Sequence, residues 1–280
     1  MRHYLSTHLF VNHRLTTVWL DRVWDAGFPA VEIFCARQHL DYRDRPQINE
    51  LAHWFDDAEL ELWALHAPMY NDDCWGRSGP HSIINITETS KPKRVQMVDE
   101  IKRAIEIAEK IPFRYLIQHI GVGDEEWDEH KVEAAFTALE DLKVFARQRG
   151  VEVLLENIPN AFSSSERLTL FLEMTHLDLN FCFDAGHAHI MEGIAPACAR
   201  MKDRIRSTHI HGNDGQRDTH LFPYLAPEDT VDWKAAMRCL RSGGDQYPLL
   251  MELREVEGLE NPIREAKTIL ERLENEENEE

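Results

Sequence analysis

Imidazoles and carboxylates recur in this sequence where short apolar runs stop. His66 closes Leu62-Trp63-Ala64-Leu65, and His119 follows Leu116-Ile117-Gln118. Glu156 ends the run 151–155, and Asp184 and His187 close the run 179–183. His209 and His211 end a seventh run, with Asp218 and His220 just beyond, and Glu252 follows Leu249-Leu250-Met251. Imidazole and carboxylate together form the donor set of Zn or Mn, with Co, Fe or Mg as alternatives. Carboxylates crowded together disfavour one another's charge unless a cation compensates. Singly, a His or Glu at such a point is most often a solvated loop residue or a cap. Asp184 with His187 also fits a simple ion pair, and Asp218 with His220 a solvated turn. Recurrence on six consecutive runs is what carries the metal reading. Residues 209 and 211 point the same way along an extended chain, so either can face a pocket. His8, near the end of the first run, is a candidate substrate contact.

The elements that must position these groups alternate strictly. Strand-like runs fall at 4–10, 30–35, 60–66, 114–119, 151–156, 179–184, 205–211 and 247–252. Between them lie segments with apolar residues three or four apart, one face of a helix. Examples are Leu15, Val18, Trp19 and Val23, stopped by Gly27, and Val132, Ala135, Phe136, Leu139, Leu142 and Phe145, stopped by Gly150. Strands alternating with helices imply parallel βαβ units, and eight of them close a barrel. A (β/α)₈ TIM barrel takes about 250 residues, so 280 residues imply one domain. Its expected span is 1–273, followed by an acidic, disordered tail at 274–280. In such a barrel the strand ends converge on one mouth, where active sites are built. The long stretch 70–91, with Asp72, Asp73, Trp75, Gly76 and Pro80, reads as a loop over that mouth.

Composition narrows the partners. A net charge of −19 opposes nucleic-acid binding, which needs clustered Lys and Arg. No apolar run of about 18 residues is present, so no membrane span is expected, and the first ten residues lack a signal-peptide pattern. A cytoplasmic protein with reduced cysteines is the expectation, since the five cysteines are scattered and odd in number. GxGxxG, GxxxxGK[ST] and GxSxG are absent, so no nucleotide cofactor is expected, and Gly121-Val122-Gly123 reads as a turn. The oligomeric state stays open.

Seven short motifs stand in order over most of the chain. They are His66-Ala67-Pro68, His119-Ile120-Gly121, Glu156-Asn157, Asp184-Ala185-Gly186-His187, His211-Gly212-Asn213-Asp214, Asp218-Thr219-His220 and the strand end at Glu252. In this order the chain resembles the xylose isomerase-like barrels, which include sugar and sugar-phosphate isomerases and epimerases and endonuclease IV. The endonuclease-like pattern implies nine ligands in a three-zinc site: His66, His119, Glu156, Asp184, His187, His211, Asp218, His220 and Glu252. The epimerase-like pattern implies four around one Mn-like ion: Glu156, Asp184, His211 and Glu252. There His187 and Arg217 match substrate-binding positions, and Glu156 and Glu252 match the carboxylates that move a proton on opposite faces of a sugar. One to three ions are thus implied.

Two departures bear on substrate. The loop after His220 reads Ala226-Pro227-Glu228-Asp229-Thr230 where relatives often carry Pro-Gly-x-Gly. Phe162 stands where some epimerases have an acidic residue. Three functions follow: an isomerase or epimerase of a sugar or polyol acting through a metal-stabilised enediolate, a multi-zinc phosphodiesterase, and a metal-binding protein without turnover. The acidic balance favours the first over the second.

Overall fold

The computed structural model describes residues 1–123, 125–243 and 246–275. Its eight strands are β1 (His3–Ser6), β2 (Ala30–Phe34), β3 (Glu61–His66), β4 (Tyr115–Gln118), β5 (Glu152–Glu156), β6 (Asn180–Asp184), β7 (Ile205–His209) and β8 (Leu249–Met251). Each is parallel to its neighbours in the order β7-β6-β5-β4-β3-β2-β1-β8. A parallel bridge between Ile210 and Met251 joins the two ends, with the Ile210 N–H on the Leu250 carbonyl at 2.9 Å. The chain is therefore a (β/α)₈ TIM barrel in one domain. Strands β1, β7 and β8 are shorter than their sequence runs. Residues Thr7–Phe10 form a 3₁₀ turn rather than the end of β1, held by the His8 N–H on Ser6 Oγ at 3.3 Å. The run at β7 leaves the regular ladder after His209.

Nine α-helices surround the strands among the described residues: α1 (Thr17–Asp25), α2 (Arg45–Asp57), α3 (Lys91–Ile105), α4 (Glu129–Arg147), α5 (Ser165–Thr175), α6 (Ala185–Ile190), α7 (Ile194–Met201), α8 (Trp233–Arg241) and α9 (Pro262–Asn275). Their apolar faces and the outward side chains of the strands form one continuous core, with Leu5, Val31, Leu65, Leu116, Leu155 and Leu249 fully buried. Burying so much apolar surface is the main stabilising term. A second cluster fills the barrel's own lower half with Tyr4, Trp63, Tyr115, Leu154, Cys182 and Leu250. Trp63 sits edge-on between Tyr4 and Tyr115, with ring centroids 5.2 and 5.0 Å away.

The cysteine expectation is corrected. Helices α7 and α8 pack side by side and bring the Cys198 and Cys239 Cα atoms to 6.5 Å, where the two sulfurs are bonded. Cys35, Cys74 and Cys182 are free thiols. The chain's last helix runs through Glu274 and Asn275, past the expected boundary at 273. Glu274 is tied to the N-terminal ammonium and, at 2.9 Å, to His3. Residues 276–280 of the expected tail lie outside the described residues. No helix among the described residues is long and apolar enough to cross a membrane.

Candidate metal centre at the barrel mouth

Side chains two apart on a strand face the same side, and the barrel uses this as a ladder. Ala64 and His66, Leu154 and Glu156, Cys182 and Asp184, and Leu250 and Glu252 are each an apolar floor residue followed by a donor two positions on. His66, Glu156, Asp184, His209, His211 and Glu252 are all buried. All nine residues of the implied ligand set meet here, in three adjoining groups whose donor atoms lie within 4.8 Å of one another. One group is His66, His119 and Glu156; the second is Glu156, Asp184, His209 and Glu252; the third is His187, His211, Asp218 and His220.

Local structure aims the imidazoles. His66 Nδ1 is 2.9 Å from the Ala67 carbonyl, His187 Nδ1 2.9 Å from that of Asn157, and His220 Nδ1 2.9 Å from that of Glu252. A carbonyl only accepts, so each of these Nδ1 atoms is the N–H, and each Nε2 faces the centre. Fixing one ring nitrogen on a carbonyl is the usual support of a metal-ligating histidine. His66 Nε2 lies 3.2 Å from His119 Nε2, and His119 Nε2 lies 3.0 Å from Glu156 Oε2. His187 Nε2 and His220 Nε2 each lie 3.2 Å from an Asp218 oxygen. His211 Nε2 is 3.1 Å from the Asp184 carboxylate. Asp184 also caps α6 by accepting the His187 N–H at 2.6 Å, which fixes the turn carrying His187. Gly186 is required for this packing, because a Cβ there would overlap the His211 ring.

The charges are held by one another. Burial would lower His220, but the Asp218 carboxylate outweighs it and lifts the imidazole to about 9. His187 is likewise raised well above its usual range against burial, by Asp184 and Asp218. Burial would raise Glu156, yet the imidazoles of His209 and His119 hold it well below the usual carboxylate range. Burial raises Glu252, with His209 and His220 opposing. Glu252 Oε1 is buried without a hydrogen-bond partner. Buried carboxylates facing imidazole nitrogens, with Glu252 Oε1 and Glu32 Oε1 unpartnered, fit a divalent cation of the Zn or Mn type.

Two further residues belong to the centre. His209 is fully buried, with Nδ1 at 3.1 Å from Glu156 Oε1 and 3.2 Å from Glu252 Oε2. Its Nε2 lies 3.1 Å from Glu32 Oε2, on β2 across the barrel. Glu32 escaped the sequence reading because it sits in the middle of an apolar strand, not at its end. Its only signal was a charge inside Ala30-Val31-Glu32-Ile33-Phe34, which a buried strand tolerates only with a partner. His8 does reach the mouth, with Nδ1 on the Leu253 carbonyl at 2.9 Å. Arg217 is paired with Asp214 at 2.7 Å, and its side chain is 73% exposed.

Above the centre lies a cavity of about 170 Å³ lined by His8, Phe34, Met69, Trp75, Arg254 and the donors. Trp75, from the loop after β3, closes over Phe34 and His8 at 5.0 and 5.6 Å between rings. Arg37 secures that loop through the Asn71 carbonyl at 2.9 Å and Asp73 at 2.7 Å.

Fold and site together define a class: a (β/α)₈ barrel with a metal-type donor cluster at the C-terminal ends of its strands. Within that class the chain belongs to the xylose isomerase-like TIM barrel family, whose model matches residues 20–275. An uncharacterised protein of Methanocaldococcus jannaschii is 25% identical over 232 residues, 79% of this chain and 74% of that protein. Another, of Sinorhizobium fredii, is 25% identical over 57% of this chain but only 53% of its own length. Among solved structures, a D-tagatose 3-epimerase-like protein superposes with a TM-score of 0.78 at 22% identity, covering 100% of this chain and 99% of that one. The IolI protein with a bound zinc atom superposes with a TM-score of 0.78 at 18% identity, covering 99% of each chain. The 3-keto-D-glucoside 4-epimerase YcjR of E. coli gives 0.73 at 16% identity, covering 98% of this chain and 99% of that one.

Proposed function

We propose that the chain is a divalent-metal-dependent isomerase or epimerase of a sugar or sugar phosphate. One observation carries this reading: Glu156 and Glu252 face a common point, through His209 Nδ1, beside further imidazoles that share donor groups with them or adjoin them. The zinc atom named for the IolI protein, and the epimerase activities named for two other structural neighbours, support it.

Glu156, Asp184, Glu252 and His209 or His211 would hold a first ion, and His66, His119, His187, Asp218 and His220 extend the donor set. Such an ion supplies a Lewis acid that polarises a carbonyl and offsets the charge that develops beside it. The chain's own groups do the rest. One glutamate oxygen takes the proton from the carbon next to the carbonyl, and the C–H electrons pass into the enediolate. The other glutamate returns a proton to the adjacent carbon or to the opposite face. Phe34, Met69 and Trp75 keep water from that carbon while His8 contacts a substrate oxygen. The test is elemental analysis of protein never exposed to chelator, followed by incubation with a panel of ketoses and aldoses in D₂O. At least one ion per chain and deuterium on a carbon next to a carbonyl are expected. No ion above background sinks the reading.

The three adjoining donor groups favour a second reading, a multi-ion phosphodiesterase resembling endonuclease IV. The net charge of −19 weighs against a DNA substrate. Nicking of abasic-site duplex at low salt, with no deuterium uptake in any sugar, would reverse the ranking. Bound metal with neither activity would leave the metal-binding reading.

A further inference from the structure

Beyond β8 the chain continues past the metal donors. Leu250 lies in the floor, Glu252 in the centre, and Leu253 is turned into the core, fully buried. Arg254 follows at the rim, an exposed residue whose backbone N–H is fixed on the His220 carbonyl at 2.9 Å. Two residues of extended chain span about 6–7 Å, so Arg254 stands one layer above Glu252 at the rim. It is the only Arg or Lys among the described residues that line the mouth cavity. Its guanidinium has no hydrogen-bond or ion-pair partner among the described residues. The other arginines near the mouth are committed: Arg37 to Asp41, Asp73 and the Asn71 carbonyl, and Arg217 to Asp214. Across the cavity, Trp75 Nε1 is a buried donor that also lacks a partner. The lining thus presents two unused donors, one permanently charged, on a residue type whose planar fork matches carboxylate and phosphate oxygens.

We infer that Arg254 is the specificity-determining residue of this mouth and that the substrate is an acidic sugar, carrying a carboxylate or a phosphate on the end of the chain away from the reacting carbon. The inference rests on the isomerase or epimerase reading and names its substrate class. A guanidinium one layer above the donors holds an anionic group a few bonds from the carbon that exchanges its proton. Neutral sugars leave Arg254 solvated and forgo that contact.

The test separates the two claims. Metal-loaded protein is titrated calorimetrically with sorbitol, gluconate and sorbitol 6-phosphate, for the wild type and for Arg254→Ala, Arg254→Lys and Arg217→Ala. In parallel, deuterium uptake is followed for fructose, fructuronate and fructose 6-phosphate. At least one anionic polyol should bind about tenfold to a hundredfold more tightly than sorbitol, the range that charge-assisted hydrogen bonds carry. Which of gluconate and sorbitol 6-phosphate it is identifies the anion. Arg254→Ala should bring that ratio close to one, Arg254→Lys should restore part of it, and Arg217→Ala should keep it. Equal binding of all three polyols, a ratio that survives Arg254→Ala, or a ratio abolished by Arg217→Ala would overturn the inference. Absence of deuterium uptake in every sugar with the binding ratio intact would fault the reaction and leave the anion site standing.

Discussion

The floor and the mouth of this barrel have opposite chemistry, although on β2, β3, β5, β6 and β8 they stand only two residues apart along the chain. The floor is Tyr4, Trp63, Tyr115, Leu154, Cys182 and Leu250, none of them charged, with the guanidiniums of Arg2 and Arg114 lying over the aromatic rings. The mouth carries Glu156, Asp184, His209, Glu252 and their partners, equally buried but ionic. Packing serves the first and mutual compensation of charge the second. The contrast shows why one strand can carry both tasks: period-two alternation stacks the inward positions in layers, so stability and chemistry separate along the barrel axis. The dry floor also keeps the effective dielectric around the donors low, which strengthens every pair above it and raises the cost of leaving one unpaired.

The largest effect should come from the residue shared by two donor groups. Glu156→Gln keeps the shape but replaces a carboxylate facing His119, His66 and His209 with a neutral amide. Turnover should fall by on the order of a thousandfold, and metal content, read by elemental analysis, should fall with it. Full metal content with full turnover would remove Glu156 from the site and erase the contrast.

The floor should answer differently. Trp63→Ala opens a void between Tyr4 and Tyr115 and should cost about 3–5 kcal/mol in denaturant unfolding, while the folded fraction keeps its metal stoichiometry. Loss of metal without loss of stability would show that floor and mouth are not separable.

The smallest effect sharpens the comparison through pH. His220 sits near 9 in the metal-free chain, so at pH 7 an ion must displace its proton. Metal affinity should therefore rise with pH, by about tenfold per unit for each proton displaced, and level off above 9. The same raised value gives the metal-free fold stability that is complete below about 6.5 and is lost as pH rises through 9. Trp63→Ala should leave both slopes unaltered. Competition with a chelating dye across pH 6.5–9.5 measures the first slope, and urea melts of the chelated protein measure the second.

How much of this was legible in the sequence depended on whether the signal was local. The eight strands were legible because apolar runs with turn residues are read within ten residues, and their alternation with amphipathic helices implies a parallel barrel. The donors at strand ends were legible for the same reason: each stands where an apolar run stops. What escaped depends on contacts far apart in the chain. Glu32 and His209 are 177 positions apart and are joined only by closure of the barrel. The Cys198–Cys239 bond depends on how α7 lies against α8, with 41 residues between. Arg217 and Arg254 are indistinguishable as residue types. Only the folded chain turns the first onto Asp214 and leaves the second at the rim of the cavity, because Arg217 lies in a turn that satisfies it locally while Arg254 follows Glu252 at the end of β8. By itself the sequence determined the element order, the period-two placement of donors and the floor beneath them, since these follow from backbone geometry and hydrophobic burial. Tertiary structure alone decided which donors share an oxygen, which charges find partners and which guanidinium stays free, because each depends on distances set only when the ends of the sheet meet.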